Sequence, residues 1–504
     1  MSDKQNFQEE RNNRQIILWG ANGQEAVDNA HIVVLGSDCV ASEFLKNIVL
    51  HGFGNVTIID DANVNKEDIM SNFLVDANDL GKPRAESVAN LLRELNDTIK
   101  VEAKVKSPTD LSFINEEPKP GFIVTCGNLK PSFLAELNKL CREKHIPQGH
   151  VQSVGLFGAF YLDAGLHEIY EGPSATNNPY YEVRALKPFP ELLEYFKYCQ
   201  SLTKDSPEYY FIPSPAFFYI AIQNIEKSGG LTSNPLQRPK VIRSAIDKLD
   251  VNPIEPIPSI LEAKAKIGDY LRDRTPENPL KVFQISEEHP EVNTPFWRMA
   301  RATSRFYKAH GVLPHYGGCP DLETSTKNYL HIKKIYEEKS KKDWEEIRND
   351  LAQRNEQVSE GVFSNFLKNV FRVDAVEYKP IADSLNFLSP IMPATNAVLT
   401  VQVLFTAIRN FYEKNNRQPE DTQADQNELV EEMKKIANGR IKNETEIVDY
   451  VKEFSLSKNH IVPSVAATIG AIFAAEVTKI VIHQAKPVKG AFIYNGVTCT
   501  GTAF

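Results

Sequence analysis

Cysteine is scarce in this chain: six in 504 residues, and no two of them form a C-x-x-C pair. That argues against a zinc ribbon and suits a reducing compartment. A basic excess is also missing. Against 66 Asp and Glu stand 57 Lys and Arg, for a net charge of −9. Such a balance argues against nucleic acid as the main partner. The opening stretch MSDKQNFQEERNNRQ is polar and has no apolar signal core. One long apolar run does occur, IVPSVAATIGAIFAAEVTKIVI at 461–482, but Glu476 and Lys479 interrupt it. Charges inside a membrane span are costly, so the run is expected to be a buried helix packed on a sheet. No membrane partner is expected.

Glycine is missing where it matters most. Residues 31–47 read HIVVLGSDCVASEFLKN. An apolar strand runs into a turn and then a helix, the frame of a nucleotide-binding unit. Yet the G-x-G-x-x-G register holds Gly36, Asp38 and Ala41. Glycines there let backbone amides approach phosphate closely. A carboxylate at Asp38 repels phosphate instead, which favours a plain strand–turn–helix over a working phosphate loop.

What is present is ordinary for a soluble globular protein: 42% hydrophobic and 24% charged residues. At ~150 residues per domain, the length predicts two to four domains. The first 165 or so residues alternate strand and helix. HIVVLG, NVTIID (55–60), KVEAKV (100–105), GFIVTC (121–126) and VQSVGLFGAFYL (151–162) read as strands. Residues 41–50, 83–95 and 131–145 read as helices, the second with Ala85, Val88, Ala89, Leu92 and Leu95 as its apolar stripe. This alternation predicts a doubly wound, mostly parallel α/β sheet. Beyond about residue 165 prolines cluster, and long amphipathic helices follow, such as 328–353. Strand character returns with GAFIYNG (490–496). The expected layout is a Rossmann-like domain over 1–165 and 456–504, with a mainly helical insert at 166–455.

Several residues could carry chemistry, each with a plainer reading. Asp60-Asp61 ends the second strand and fits either a ribose contact or a turn. Lys82 and Arg84 fit a phosphate contact or a solvated helix start. Arg14 precedes the first strand and fits a surface arginine or one reaching a neighbour's phosphate. Cys319, in HYGGCPDLE, has His315 near but no further sign of a nucleophile. Tyr329, Ile332, Ile335 and Tyr336 make a stripe that suits its own core or a partner equally.

RQIILWGANGQEAV, HIVVLG, FLKNIVLHGFGNVTIIDDANV, SNFLV and DLGKPRAE together resemble the activating enzymes of ubiquitin and ubiquitin-like proteins, as does HIVPSVAATIGAIFAAEVTKIV near the C-terminus. KPFPEL, TPFWRMARA and LPHYGGCPDLETSTKNYLHIKKIYEEKSKKD are similar to the regulatory-subunit branch of that family, of the neddylation (Rub) type. The resemblance implies an adenylation-type domain. An active half of such an enzyme has an intact glycine loop, an Asp-x-Asp and an Asn-x-x-Arg. Here Asp60-Asp61-Ala62 keeps only the first acid, Phe73-Leu74-Val75 follows Asn72 without an arginine, and Arg84 takes a usual lysine position. The resemblance therefore implies no catalytic residue, no metal ligand and no bound cofactor in this chain. It implies a catalytic partner subunit that binds ATP and Mg and carries the thioester cysteine, a neddylation-type modifier as second partner, and a cytoplasmic and nuclear setting. It implies that Arg14 reaches the partner's ATP phosphates in trans, and that Gln15, Trp19, Tyr329, Ile332, Lys333, Ile335 and Tyr336 meet the partner. Cys319 is followed by Pro320 where the family's thioester cysteine usually precedes Thr, so it receives no role. The equivalent SUMO-activating subunit, or a self-sufficient adenylating enzyme, remain the alternatives.

Overall fold

The computed structural model describes residues 2–172, 183–252, 254–271, 275–386, 396–458 and 460–503. Contacts divide the chain into two compact units, Met1–Ile169 with Val376–Phe504, and Tyr170–Ala375.

In the first unit, helix α1 (Ser2–Asn29) leads into strand β1 (His31–Leu35), α2 (Cys39–Leu50), β2 (Asn55–Ile59), the short α3 (Lys66–Ser71), α4 (Arg84–Leu95) and β3 (Lys100–Lys104). Then come β4 (Phe122–Cys126), α5 (Pro131–Glu143), β5 (Gln148–Val154), β6 (Phe157–Asp163) and β7 (Leu166–Ile169). The eight-stranded sheet has the order β10-β9-β6-β5-β4-β1-β2-β3. Strands β1 to β5 pair in parallel. The stretch 151–162, expected as one strand, is two antiparallel ones, because Gly155 at φ +52° turns the chain back. The C-terminal strands β9 (Ala491–Asn495) and β10 (Thr500–Ala503) extend the sheet antiparallel beyond β6.

The second unit is helical: α6 (Pro190–Ser201), α7 (Ser214–Lys227), α8 (Arg238–Asp247), α9 (Pro258–Ala265), α10 (Ile267–Tyr270), α11 (Glu277–Glu288), α12 (Pro295–His310), α13 (Thr326–Gln353) and α14 (Glu360–Lys368). Its core gathers Phe196, Phe217, Phe218, Ile332 and Tyr336. A short strand β8 (Asp374–Glu377) follows.

The expected insert ends too late. Helices α15 (Ile381–Asn386), α16 (Asn396–Asn415), α17 (Gln423–Ala437) and α18 (Glu444–Leu456) belong to the first unit. Leu404, Phe405 and Ile408 share a core with Phe157, Ala159 and Ile493 of the sheet. The Tyr450 ring stacks on Phe157 at 5.3 Å, and the Arg409 guanidinium lies 5.4 Å from the Tyr161 ring. An amphipathic helix carries the same apolar stripe over a sheet as in a bundle, which is why composition misplaced the boundary.

Helix α19 (Pro463–Ile482) is long and apolar enough to cross a membrane by those measures alone. It packs against α2 and the sheet instead. The Phe473 ring sits 5.0 Å from Phe44 and 5.3 Å from Phe160. At Gly470 a Cβ would lie 2.9 Å from the Phe44 backbone nitrogen, so the two helices touch through bare backbone.

Candidate functional site

In a doubly wound sheet, ligands bind where the strand order reverses, at the carboxyl ends of the strands. Here that point lies between β1 and β4. The turn after β1 is Gly36-Ser37-Asp38, and the turn after β4 begins at Gly127. Both glycines have positive φ, +99° and +81°, a region that disfavours side chains.

The chain's own side chains fill this crevice. Asp38 caps α2, its Oδ1 accepting from the Ala41 amide at 2.9 Å. A helix N-terminus is a ready anion site, and here a carboxylate of the same chain already takes it. The Asp38 Oδ2 also faces Gly127, where a Cβ would stand only 3.0 Å away. Asp60, buried at the end of β2, accepts from the Ser37 amide at 3.0 Å and from the Ser37 hydroxyl. Arg84, the first residue of α4, reaches across. Its Nη2 donates to Asp60 Oδ2 at 2.9 Å, and its Nη1 donates to Asp68 Oδ1 at 3.1 Å. Asp68 in turn closes a capping box with Asn65 on α3. Asn72 then ties the layer shut, donating to the Ser37 carbonyl at 3.2 Å.

The charges follow from this packing. Burial raises the Asp38 pKa above the usual carboxylate value, against the pull of the Ala41 amide and Arg84. Burial also works against the Arg84 charge. The carboxylates of Asp60, Asp68 and Asp38 outweigh it and leave the guanidinium pKa above its ordinary value. Three carboxylates around one guanidinium repel a polyphosphate. The flanking thiols are held protonated, with Cys39 pushed up to about 12 by burial and Cys126 raised well above its ordinary value by burial too. Arg84 is not a solvated charge: its side chain is 15% exposed and paired twice. Among the described residues, no group of three or more His, Cys, Asp and Glu could hold a metal ion.

Sequence reasoning found Asp38, Asp60 and Arg84 but not Ser37 or Asp68. The Asn65-x-x-Asp68 capping pattern was the available signal.

The expected partner-facing residues separate into two sets. Arg14 is exposed and Gln15 half-buried on α1, a helix broken at Gly20 (φ +75°). Tyr329, Lys333 and Ile335 are half-buried on α13. Trp19, Ile332 and Tyr336 are each already covered by their own unit. Trp19 is buried and donates to Gln24 Oε1 at 3.2 Å. Ile332 and Tyr336 are each 0% exposed. The Tyr336 hydroxyl donates to the Val183 carbonyl at 2.7 Å, and its ring stacks on His315 at 4.9 Å. Cys319 is half-buried and points its thiol at the Pro320 carbonyl, 3.4 Å away.

The sequence matches the model of the ThiF family over residues 12–502. NEDD8-activating enzyme E1 regulatory subunit AXL of Arabidopsis thaliana is 26% identical, with the alignment covering 96% of this chain and 97% of that one. NEDD8-activating enzyme E1 regulatory subunit of Danio rerio is 25% identical over the full length of both chains. NEDD8-activating enzyme E1 regulatory subunit AXR1, also of Arabidopsis thaliana, is 26% identical over 96% of this chain and 94% of its own.

Proposed function

The chain belongs to the ThiF family, and from that premise we propose that it is the non-catalytic, regulatory subunit of a heterodimeric activating enzyme for a NEDD8-type modifier. The relatives that match it end to end carry that description. The observation that carries the non-catalytic part is the Arg84 bridge to Asp60 and Asp68, with Asp38 on the helix N-terminus. Together they fill the ground a nucleotide's phosphates would need.

In this reading the catalytic partner binds ATP and Mg, adenylates the modifier's C-terminal glycine and takes it as a thioester. This chain braces the partner's site and shapes the modifier groove. Arg14, exposed on α1, extends its guanidinium to the phosphates of the partner-bound ATP. An arginine suits this task because its planar fork donates in pairs and stays charged. Gln15, Tyr329, Lys333 and Ile335 contact the partner.

The test uses the purified full chain, alone and with a catalytic subunit. Calorimetric titration of the chain alone with Mg-ATP should show no heat of binding. The pair should form an ATP-dependent thioester with the modifier, on the partner only. Micromolar ATP binding by the chain alone, or a thioester on Cys319, would overturn the proposal.

A further inference from the structure

The second unit carries a groove of about 1020 Å³ between α6 and the first turns of α13. Both helices present one face to it, with residues recurring at helical spacing. Its floor is apolar and includes Tyr195 and Ile335. Three large side chains stand at its rim largely in solvent: Tyr198 is 51% exposed, Phe211 49% and Leu330 56%. Single exposed apolar residues are normal, whereas several lining one concave face mark a binding surface.

The walls differ in charge. Glu191, Glu194 and Glu208 line the α6 side, and Lys327 and Lys334 line the α13 side. Some of these charges are engaged. Glu191 meets Lys342, Lys334 lies 3.8 Å from Glu338, and Glu208 accepts from the Tyr198 hydroxyl at 3.3 Å. Glu194 and Lys327 are exposed and make no ion pair among the described residues. Opposite signs on facing walls disfavour a polyanion as much as a polycation. They fit a ligand that carries both signs on opposite flanks of an apolar ridge.

We propose that this groove docks one amphipathic helix of another protein, with its apolar ridge on Leu330, Phe211 and Tyr198. Its basic flank faces Glu194 and Glu208, and its acidic flank faces Lys327. This is the helix-in-groove mode, in which apolar anchors give affinity and flanking charges set direction. The proposal goes beyond the adenylation role; Ile335, which that reading gives to the catalytic partner, lies on the groove floor, so the test uses the full chain without that partner.

The probe is a labelled synthetic helix of roughly 15 residues. It carries Leu at helical spacing, Lys on one flank and Glu on the other. A twin has the two flanks exchanged. Fluorescence anisotropy with the full chain should show binding of one peptide in preference to its twin. Leu330→Asp should weaken that binding by about tenfold or more. Leu330 is exposed, so the variant should fold, which circular dichroism checks. The paired exchange Glu194→Lys with Lys327→Glu should reverse the preference between the twins. Equal binding of the twins, no binding of either, or an unchanged preference in the exchanged variant would overturn the proposal. So would self-association of the chain that Leu330→Asp abolishes, which would assign the groove to a second copy.

Discussion

Arg84 Nη2 lies 2.9 Å from Asp60 Oδ2, across the crevice where a doubly wound sheet takes its ligand. The same guanidinium holds Asp68 from its other side at 3.1 Å. Both pairs are charge-assisted and largely shielded from solvent, with Arg84 15% exposed. Breaking a buried pair from one side strands the other charge and costs about 3–5 kcal/mol. Arg84→Met should therefore lower the unfolding free energy of the first unit by that order, read as a lower urea midpoint. Arg84→Lys should recover part of the loss, since lysine keeps the charge but cannot reach both carboxylates in a planar fork. An Arg84→Met protein as stable as the wild type would mean that the pairing is incidental.

Arg14 should matter only to the assembled enzyme. Removing a preorganised donor from a developing charge costs about 2–4 kcal/mol of transition-state stabilisation. Arg14→Ala should then slow ATP–pyrophosphate exchange by the heterodimer roughly 30-fold or more. Gel filtration should show the heterodimer intact. Arg14→Lys should rescue only in part. Exchange at the wild-type rate in Arg14→Ala would reduce Arg14 to a surface residue.

Cys319 should be chemically quiet. Burial pushes its thiol up to about 12, with the Lys333 charge opposing only weakly. Thiolate is the reactive form, so maleimide at neutral pH should label exposed Cys499 well before Cys319. Cys319→Ala should leave modifier transfer unchanged. Rapid labelling at Cys319, mapped by peptide mass, would contradict this.

Acid should weaken the first unit through its buried histidines. Burial, helped by the Arg409 charge, lowers the His150 pKa from 6.5 to about 3. Burial also lowers His167 and His483, whose rings stack at 5.1 Å. The unfolded chain takes up these protons near pH 6.5, and the folded chain refuses them. Stability is thus complete above about pH 6.5 and declines as pH falls, by up to about 1.4 kcal/mol per pH unit for His150 alone until pH nears 3. Urea unfolding at stepped pH should show this slope, and His150→Gln should flatten it. An identical slope in the variant would move the cause to other groups.

The sheet was legible in the sequence because buried parallel strands read as short apolar runs, as HIVVL and FIVTC do. The decayed glycine register was legible too, since Asp38 stands where a glycine belongs. The ion-pair cluster at the crevice was not. Asp60, Asp68 and Arg84 meet only because β1 and β2 are neighbours and α3 and α4 begin above their ends, and spacing along the chain does not report that. The apolar stripe at Ile332 and Tyr336 was ambiguous for a related reason. Periodicity shows that a face is apolar, but only packing shows that Val183 and His315 already cover Tyr336. Residues 376–455 were assigned to the insert because nothing in an amphipathic helix says whether a sheet or a bundle lies beneath it.

Strand β6 gains its outer neighbour only from β9, at Ala491–Asn495, and α2 is covered by α19. During synthesis these pieces are made after the strand and helix they cover. Until then the nascent chain carries an unpaired β6 edge and an uncovered apolar layer, while the whole helical unit Tyr170–Ala375 is made in between. Open edges of this kind invite wrong pairing, and chains fold from the N-terminus as they appear. The sheet is therefore completed only by segments made after the helical unit.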